Sequence, residues 1–363
     1  MSQDARYMAL ALSLGRRGQG SVWPNPAVGC VIVNNNRVVG RGWTQPGGRP
    51  HAETHALSQA GAAAYGAVAY VTLEPCAHTG KTPPCAQALI NAGVARVVIA
   101  CTDSDPRVSG RGVEMLKAAG ICVETGLLEA EARADHAGFF LRINDGRPML
   151  SLKLATSVDG RIATASGESQ WITGATARRM VHGLRSRHDA VMVGGGTVRQ
   201  DDPSLTVRDL GIDRQPTRIV ISNGLDIPLD SRLAQTAADI PLILCHGPEA
   251  RKNHIRDWQD RGATLLSCDA RQGYVDPVDM MQKLGACGLT RIFCEGGGQI
   301  AASLLKFDLV DRLIGFTAGV TIGADGLPGI APLHLNRLSN APRFTLDSIA
   351  QTGSDTVQIW SRR

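Results

Sequence analysis

The chain has 363 residues, 43% of them hydrophobic and 20% charged, with a formal net charge of +5. That length fills two ordinary cores, and the composition is that of a globular protein in water. No apolar run approaches the roughly 20 residues of a membrane-spanning helix. No block of Lys or Arg forms a stripe for nucleic acid, and aromatic residues make up 4%, too few for base-stacking platforms. Neither a membrane nor a nucleic-acid partner is therefore expected, and the mild positive charge suits a small phosphorylated substrate or no particular partner.

Residues 1–18 mix Asp4, Arg6, Arg16 and Arg17 with apolar positions and show no secretory cleavage pattern. Tyr7, Leu10, Ala11 and Leu14 share one face of an amphipathic helix. Residues 28–33 and 37–42 predict a hairpin around Asn34-Asn35-Asn36. A helix over 51–63, a strand over 67–72, a helix over 85–92 and a strand over 97–100 follow. Helices over 114–119 and 129–140, with 122–124 extended between them, complete a pattern that predicts a layered α/β domain with a central sheet. Asn144-Asp145-Gly146-Arg147-Pro148 concentrates turn formers and is the expected linker, dividing the chain into 1–146 and 147–363. A new strand opens at Met149, and further strands are expected over 190–194, 218–222, 242–245, 291–294 and 313–317, with helices over 175–186 and 299–306. Nine cysteines without an export signal argue against a disulfide framework and for the cytoplasm. Cys30, Cys101, Cys122, Cys245, Cys268, Cys287 and Cys294 fall mostly in apolar runs and read as small buried hydrophobes.

Cys76 and Cys85 stand instead in a polar, Pro-flanked context. His51-Ala52-Glu53 and Glu74-Pro75-Cys76, with Cys85 beyond an eight-residue loop, supply one imidazole, two thiolates and, in Glu53, an unattached carboxylate. Three such ligands, His51, Cys76 and Cys85, leave the fourth tetrahedral position of Zn2+ open, as a catalytic site does. His51 and Glu53 diverge by about 200° at a helix start, so one can ligate while Glu53 serves a zinc-bound water as general acid and base. Cys85 begins a helix, where the N-terminus favours an anionic sulfur. The competing reading is a closed structural site with His55 or His78 as fourth ligand, which leaves Glu53 unexplained.

The first half matches the zinc-deaminase signature H-x-E but replaces P-C-x-x-C by a longer loop. That loop, with His51-Ala-Glu-Thr-His-Ala-Leu57 and Pro24-Asn-Pro-Ala-Val-Gly-Cys30, resembles the bifunctional riboflavin-biosynthesis deaminase–reductase family. The resemblance implies a cytidine-deaminase-like three-layer domain over 1–146, and contacts from Asn25, His78, Lys81 and Asp103 to a phosphorylated pyrimidine. Asn25 also reads as a turn residue between prolines, and His78 and Lys81 as ordinary loop residues. Asp105 stands where the family carries asparagine; Asp103 and Asp105 equally suit the capping of a turn.

The same resemblance continues through Ser151-Leu-Lys153-Leu-Ala155, Ser169-Gln-Trp171, Asp189 to Arg208, and Phe293-Cys-Glu295-Gly-Gly-Gly-Gln-Ile-Ala-Ala-Ser303. It implies a dihydrofolate-reductase-like domain over 147–363 that uses NADPH. NADPH contacts are implied for Ala155, Trp171, Thr197, Asp201, Ser222, Gly297, Gly298, Gln299, Ile300, Ala301, Ala302 and Ser303, and substrate contacts for Ser169, Arg185, Leu205, Arg208 and Glu295. Physically, two strands end in glycines, at 194–196 and 296–298, where backbone amides approach a phosphate; taken alone each reads as a tight turn. Arg185 and Arg208 suit a bidentate phosphate clamp or a solvated surface, and Trp171 suits the core equally well. Lys153 lies mid-strand among apolar neighbours, where an ammonium is costly unless it works or pairs. Lys153 and Asp201 are the candidates for proton handling, and Asp159 organises a turn with Gly160. The expected activity is zinc-hydroxide deamination of a diamino-hydroxy-ribosylaminopyrimidine 5′-phosphate, then NADPH reduction of its ribosyl chain to ribityl. A nucleoside or tRNA deaminase with an unrelated tail is the alternative, and a homo-oligomer is expected.

Overall fold

A computed structural model describes residues 2–79, 83–105 and 109–362. Its contacts divide into two compact units, Met1–Gly146 and Arg147–Arg363, each built on its own sheet.

In the first unit, β1 (Gly29–Asn34) and β2 (Arg37–Trp43) form the expected hairpin. Asn35 and Asn36 take φ of 49° and 61°, the left-handed pair that a two-residue turn demands and asparagine tolerates. With β3 (Val68–Val71), β4 (Arg96–Ile99) and β5 (Cys122–Thr125) they make a sheet in the order β2-β1-β3-β4-β5. β1 runs antiparallel to β2 and β3, while β3, β4 and β5 are parallel. The helices are α1 (Gln3–Gly15), α2 (Ala52–Ala60), α3 (Cys85–Asn91), α4 (Arg111–Ala118) and α5 (Glu129–Asp145).

Glycines set how closely the helices lie on this sheet. Neighbouring strand residues face opposite sides, so Gly29 meets α1 while Gly42 and Gly40, paired with Cys30 and Ile32, meet α2 on the other face. A Cβ on Gly29 would stand 1.9 Å from the Ala11 carbonyl oxygen, and one on Gly42 would stand 2.1 Å from that of Ala52. The helix that presents His51 and Glu53 is thus seated by close backbone contact, with Ala52, Ala56 and Ala60 packed in the core. α1 buries Ala5, Met8, Ala11, Leu12 and Leu14, whereas Tyr7 and Leu10 of the expected face are only half-buried. Tyr7 instead reaches sideways, to the Tyr70 ring at 5.3 Å and to the Asn36 carbonyl at 2.9 Å. Asn144 and Asp145 of the expected linker still belong to α5, which stops at Gly146 with φ 72°.

The second unit runs β6 (Met149–Ser157), β7 (Arg161–Ala163), α6 (Ala175–Ser186), β8 (Ala190–Gly194), α7 (Gly195–Asp201), β9 (Thr217–Ile221) and α8 (Arg232–Gln235). β10 (Leu242–His246), α9 (Lys252–Asp260), β11 (Thr264–Ser267), β12 (Ala270–Arg271), β13 (Tyr274–Val275), α10 (Pro277–Ala286) and β14 (Arg291–Cys294) follow. α11 (Gly298–Lys306), β15 (Arg312–Ala318), β16 (Leu327–Pro328), β17 (Phe344–Thr352) and β18 (Asp355–Arg362) complete it. The main sheet has the order β11-β10-β9-β8-β14-β6-β15-β18-β17; its strands are parallel except β18 and β17, which close one edge as an antiparallel hairpin. That hairpin and α9 escaped the sequence pattern. β17 is exposed along most of its length, β18 turns only Val357 and Ile359 to the core, and α9 turns only Ile255 and Trp258, so their apolar stripes are short. All nine cysteines are free, and Cys122 and Cys287 are exposed, against the expectation of burial; each lies just beyond or at the edge of an element, where the apolar run ends.

Gly29→Ala tests the close seating of α1. The substitution is expected to destabilise the first unit by roughly 3 kcal/mol, as overpacking against a rigid backbone does, measured as an earlier urea transition of that unit.

Candidate active sites

In the first unit three segments deliver the metal-ligating set. His51 caps the start of α2 in extended conformation, Cys76 lies in the loop that follows β3, and Cys85 is the first residue of α3. His51 Nδ1 is 3.3 Å from Cys85 Sγ and 3.8 Å from Cys76 Sγ, and the three ligand atoms lie within 4.8 Å of one another. A tetrahedral zinc with ordinary bond lengths needs nitrogen and sulfur about 3.6 Å apart, so these side chains fit the ion. Among the described residues this group stops at three ligands. His55 is turned away, edge-on to Trp43 at 5.2 Å and 3.1 Å from Gln45 Nε2, and His78 is exposed. The closed four-ligand alternative therefore has no support in the geometry.

Glu53, on the first turn of α2, is 3% exposed. Burial, then the Cys76 sulfur, push its carboxyl up to about 7; its side chain reaches the Cys85 sulfur. The Cys76 thiol is drawn down to about 4, by the hydrogen bond from Cys85 and the imidazole of His51. The N–H of Cys85 at the start of α3 donates to Cys76 Sγ at 3.3 Å. The helix terminus expected to ionise Cys85 thus serves the neighbouring sulfur, because a helix's first N–H groups point out along its axis and not at its own side chains.

Asn25 and Asp103 sit in separate loops. The Asn25 amide presses on Gly48, where a Cβ would stand 1.9 Å from Nδ2. Asp103 is 7% exposed and accepts the Asp105 N–H at 2.8 Å; burial raises its carboxyl to about 6. Asp105 is also buried. Lys81 lies outside the described residues. Sequence reasoning passed over Glu74, whose buried carboxylate accepts N–H groups from Asp103, Gly110, Gly112 and Val113; its only signal was its place two residues before Cys76.

In the second unit a cleft of about 1350 Å³ opens at the C-terminal ends of the parallel strands, the usual place for ligands in such sheets. β8 and β14 are neighbours, so their two glycine turns lie side by side, joined by a bond from Gly194 N to the Gly296 carbonyl at 3.3 Å. Lys153, Ala155, Ser169, Trp171, Arg185, Thr197, Asp201, Leu205, Arg208, Ser222 and Glu295 all line the cleft, as do Gly297, Gly298, Gln299, Ile300, Ala302 and Ser303. Ala301 does not: it is fully buried, on the side of α11 that faces the core, which corrects its place among the contacts. Trp171 is 69% exposed with the Arg178 guanidinium 4.5 Å above its ring, so it is no core residue.

The Arg185 fork is closed on Glu295, at 2.5 and 3.0 Å, with its remaining nitrogen donating to the Thr206 carbonyl at 2.7 Å. It is therefore committed within the protein and not held open as a phosphate clamp; Arg208 remains exposed. Burial opposes ionisation of Glu295, but Arg185 outweighs it and holds the carboxyl below its usual range. The β6–β14 register pairs Leu152 with Cys294, which brings Lys153 beside Glu295. Burial lowers the Lys153 ammonium, and Glu295 counters that. Asp159 does more than turn with Gly160: it accepts the Ser157 hydroxyl at 2.6 Å and the N–H groups of Ile322 and Gly323 at 3.2 and 2.7 Å. Missed cleft residues include Arg178 and His182. They were legible, since 178, 182 and 185 share a helix face. Tyr274, on the two-residue strand β13, left no pattern to read.

Residues 148–358 match the family described as RibD C-terminal domain, and residues 1–101 match the cytidine and deoxycytidylate deaminase zinc-binding region. The riboflavin biosynthesis protein RibD of Escherichia coli K12 is 43% identical over 97% of this chain and 98% of that protein. The Aquifex aeolicus RibD is 39% identical over 99% and 98%. Among solved structures, form 2 of Acinetobacter baumannii RibD superposes with a TM-score of 0.87 at 36% identity over 99% of both chains. A diaminohydroxyphosphoribosylaminopyrimidine deaminase/5-amino-6-(5-phosphoribosylamino)uracil reductase from Thermotoga maritima gives 0.87 at 31% identity over 99% of both. The fold is thus the expected pair, a cytidine-deaminase-like three-layer unit and a dihydrofolate-reductase-like unit.

Arg185→Ala removes the bidentate partner of Glu295 and leaves its buried carboxylate with Lys153 alone. It is expected to destabilise the second unit by about 3 kcal/mol, measured by denaturant unfolding of that unit.

Proposed function

This chain belongs to the RibD family, and from that premise we propose how its two sites divide the work. It is a bifunctional enzyme of riboflavin biosynthesis, a zinc hydrolase and an NADPH-dependent oxidoreductase acting on a small molecule. A nucleoside or tRNA deaminase with an unrelated tail is not favoured, since residues 148–358 match the RibD C-terminal domain. The finer reading is that unit Met1–Gly146 deaminates diaminohydroxyphosphoribosylaminopyrimidine, and that unit Arg147–Arg363 then reduces the ribosyl chain of the product. The observation that carries it is the convergence of His51, Cys76 and Cys85 with a buried carboxylate, Glu53, beside them.

His51, Cys76 and Cys85 would hold zinc, which when bound supplies a Lewis acid that makes water nucleophilic near neutral pH. Glu53 moves two protons in turn: the first from the attacking water to the pyrimidine ring nitrogen, and the second from the hydroxyl left on the carbon to the amino group, which departs as ammonia as its C–N bond breaks. Asn25, His78, Lys81 and Asp103 bind and orient the substrate in this reading. In the second unit the cofactor supplies the hydride, and the protein supplies orientation and charge. Ala155, Trp171, Thr197, Ser222 and the Gly297 to Ser303 segment at the start of α11, Ala301 excepted, cradle NADPH. Ser169, Leu205, Arg208 and Glu295 position the phosphorylated substrate. Arg185 acts through Glu295, and Lys153 and Asp201 handle protons near the ribose C1′. Nine free thiols support work in the cytoplasm. No described helix is long and apolar enough to cross a membrane. We further propose a homo-oligomer without nucleic acid as partner.

The purified chain, given zinc, NADPH and the diaminopyrimidine, should release ammonia and then oxidise NADPH. Ammonia release without oxidation would remove the second step. Glu53→Gln is expected to keep zinc and lower ammonia release by about 100-fold or more, read as zinc content against deamination rate. Asp201→Ala should spare deamination and slow NADPH oxidation about tenfold or more, measured with the deaminated intermediate; loss of both activities would assign Asp201 to folding.

A further inference from the structure

Glu74 directly precedes the Pro75-Cys76 turn, and it is 3% exposed. Its Oε2 accepts the N–H groups of Asp103 at 3.3 Å and Gly110 at 3.1 Å. Its Oε1 accepts those of Gly112 at 3.0 Å and Val113 at 3.3 Å. Gly110 is the residue that caps α4, and Gly112 and Val113 lie in its first turn. A single carboxylate from a distant segment therefore satisfies the free amides at the start of α4, where negative charge is favoured, and also grips the residue at the other end of the intervening loop. The Glu74 N–H is itself fixed, donating to the Cys101 carbonyl at 3.0 Å.

Gly112 supplies an independent sign that this junction is built for closeness. A Cβ there would stand 2.1 Å from the Pro75 carbonyl oxygen and 3.2 Å from Glu74 Oε1. Gly112 is not in the left-handed region, so the approach of the Pro75 backbone, and not a backbone conformation, excludes a side chain. A covalent path thus runs from the metal ligand Cys76 through Pro75 to Glu74, and hydrogen bonds continue it from the Glu74 carboxylate to the Asp103 N–H and from Asp103 Oδ1 to the Asp105 N–H at 2.8 Å.

We infer that Glu74 is a positioning residue for deamination, which holds the loop bearing Asp103 and Asp105 at a set distance from the metal. The inference rests on the deaminase reading above, with Asp103 as a substrate contact. A carboxylate that only stabilised the unit would change stability and zinc retention; one that registers two halves of a site changes how well the substrate is bound once zinc is in place.

The test uses the full-length zinc-loaded chain. In Glu74→Gln one acceptor oxygen becomes an NH2 group, so one pair of N–H donors loses its partner. The expected result is a rise of about tenfold in KM for the diaminopyrimidine, as for a lost charge-assisted hydrogen bond, with kcat changed less than about threefold. Zinc should stay at one per chain, and NADPH oxidation with the deaminated intermediate should be unchanged. Gly112→Ala, which pushes on Pro75 and Glu74 together, should give the same split between KM and kcat. An unchanged KM in both variants overturns the inference. So does loss of zinc or of kcat at constant KM, which would place Glu74 on the metal alone. Wild-type chain that releases no ammonia would instead sink the deaminase reading, leaving the two failures distinct.

Discussion

Two sulfurs and an imidazole nitrogen within 4.8 Å of one another make an unstable group unless a cation or shared protons lie among them. The first unit is arranged around that demand. His51 arrives on the cap of α2, a helix pressed onto the sheet because Gly40 and Gly42 carry no side chains. Cys76 arrives on a turn held by Glu74, and Cys85 on the first residue of α3. The Cys76 sulfur also receives the backbone N–H of Cys85. Glu53 shares the helix of His51 but not its direction, and so sits beside the sulfurs as a buried acid.

The second unit meets a different demand with the same economy of backbone. Parallel strands end at one edge, and adjacent strands β8 and β14 both run on into glycine-rich segments. The bond between their turns makes one continuous strip of backbone, and α11 starts from it. Beside that strip Arg185, Glu295 and Lys153 form a charged group in the cleft wall. Arg185 balances Glu295 there, and burial lowers the Lys153 ammonium beside them. The Arg185–Glu295 pair shows why an arginine in a motif is not by itself a ligand clamp: its fork is already filled.

Much of both sites could be read before the structure. His51, Glu53, Cys76 and Cys85 announced themselves by residue type and context, since few other arrangements of those groups in a polar, Pro-flanked loop have a use. The strands at 149, 190 and 291 were legible because buried parallel strands are continuous apolar runs. α9, β12, β13 and the β17–β18 hairpin were not, because an element that is exposed, or anchored by one or two residues, has too short an apolar stripe to show a period. Tyr7 and Leu10 share a helix face with Ala11 and Leu14 yet are only half-buried, because periodicity reports which residues share a side, not how near the neighbouring sheet approaches.

The amino-acid order alone determined the chemistry available: a soft three-ligand set with a spare carboxylate, and two strands that run on into glycines in a chain long enough for two cores. These follow from local residue type and spacing. Only the tertiary structure decided which groups are already spoken for. Glu74 meets amides up to 39 residues away, Arg185 meets a carboxylate 110 residues away, and Ala301 turns inward from a helix whose neighbours face the cleft. Such facts depend on which distant segments the fold brings together, and hydrogen-bonding capacity, once satisfied inside the protein, is no longer free for a ligand.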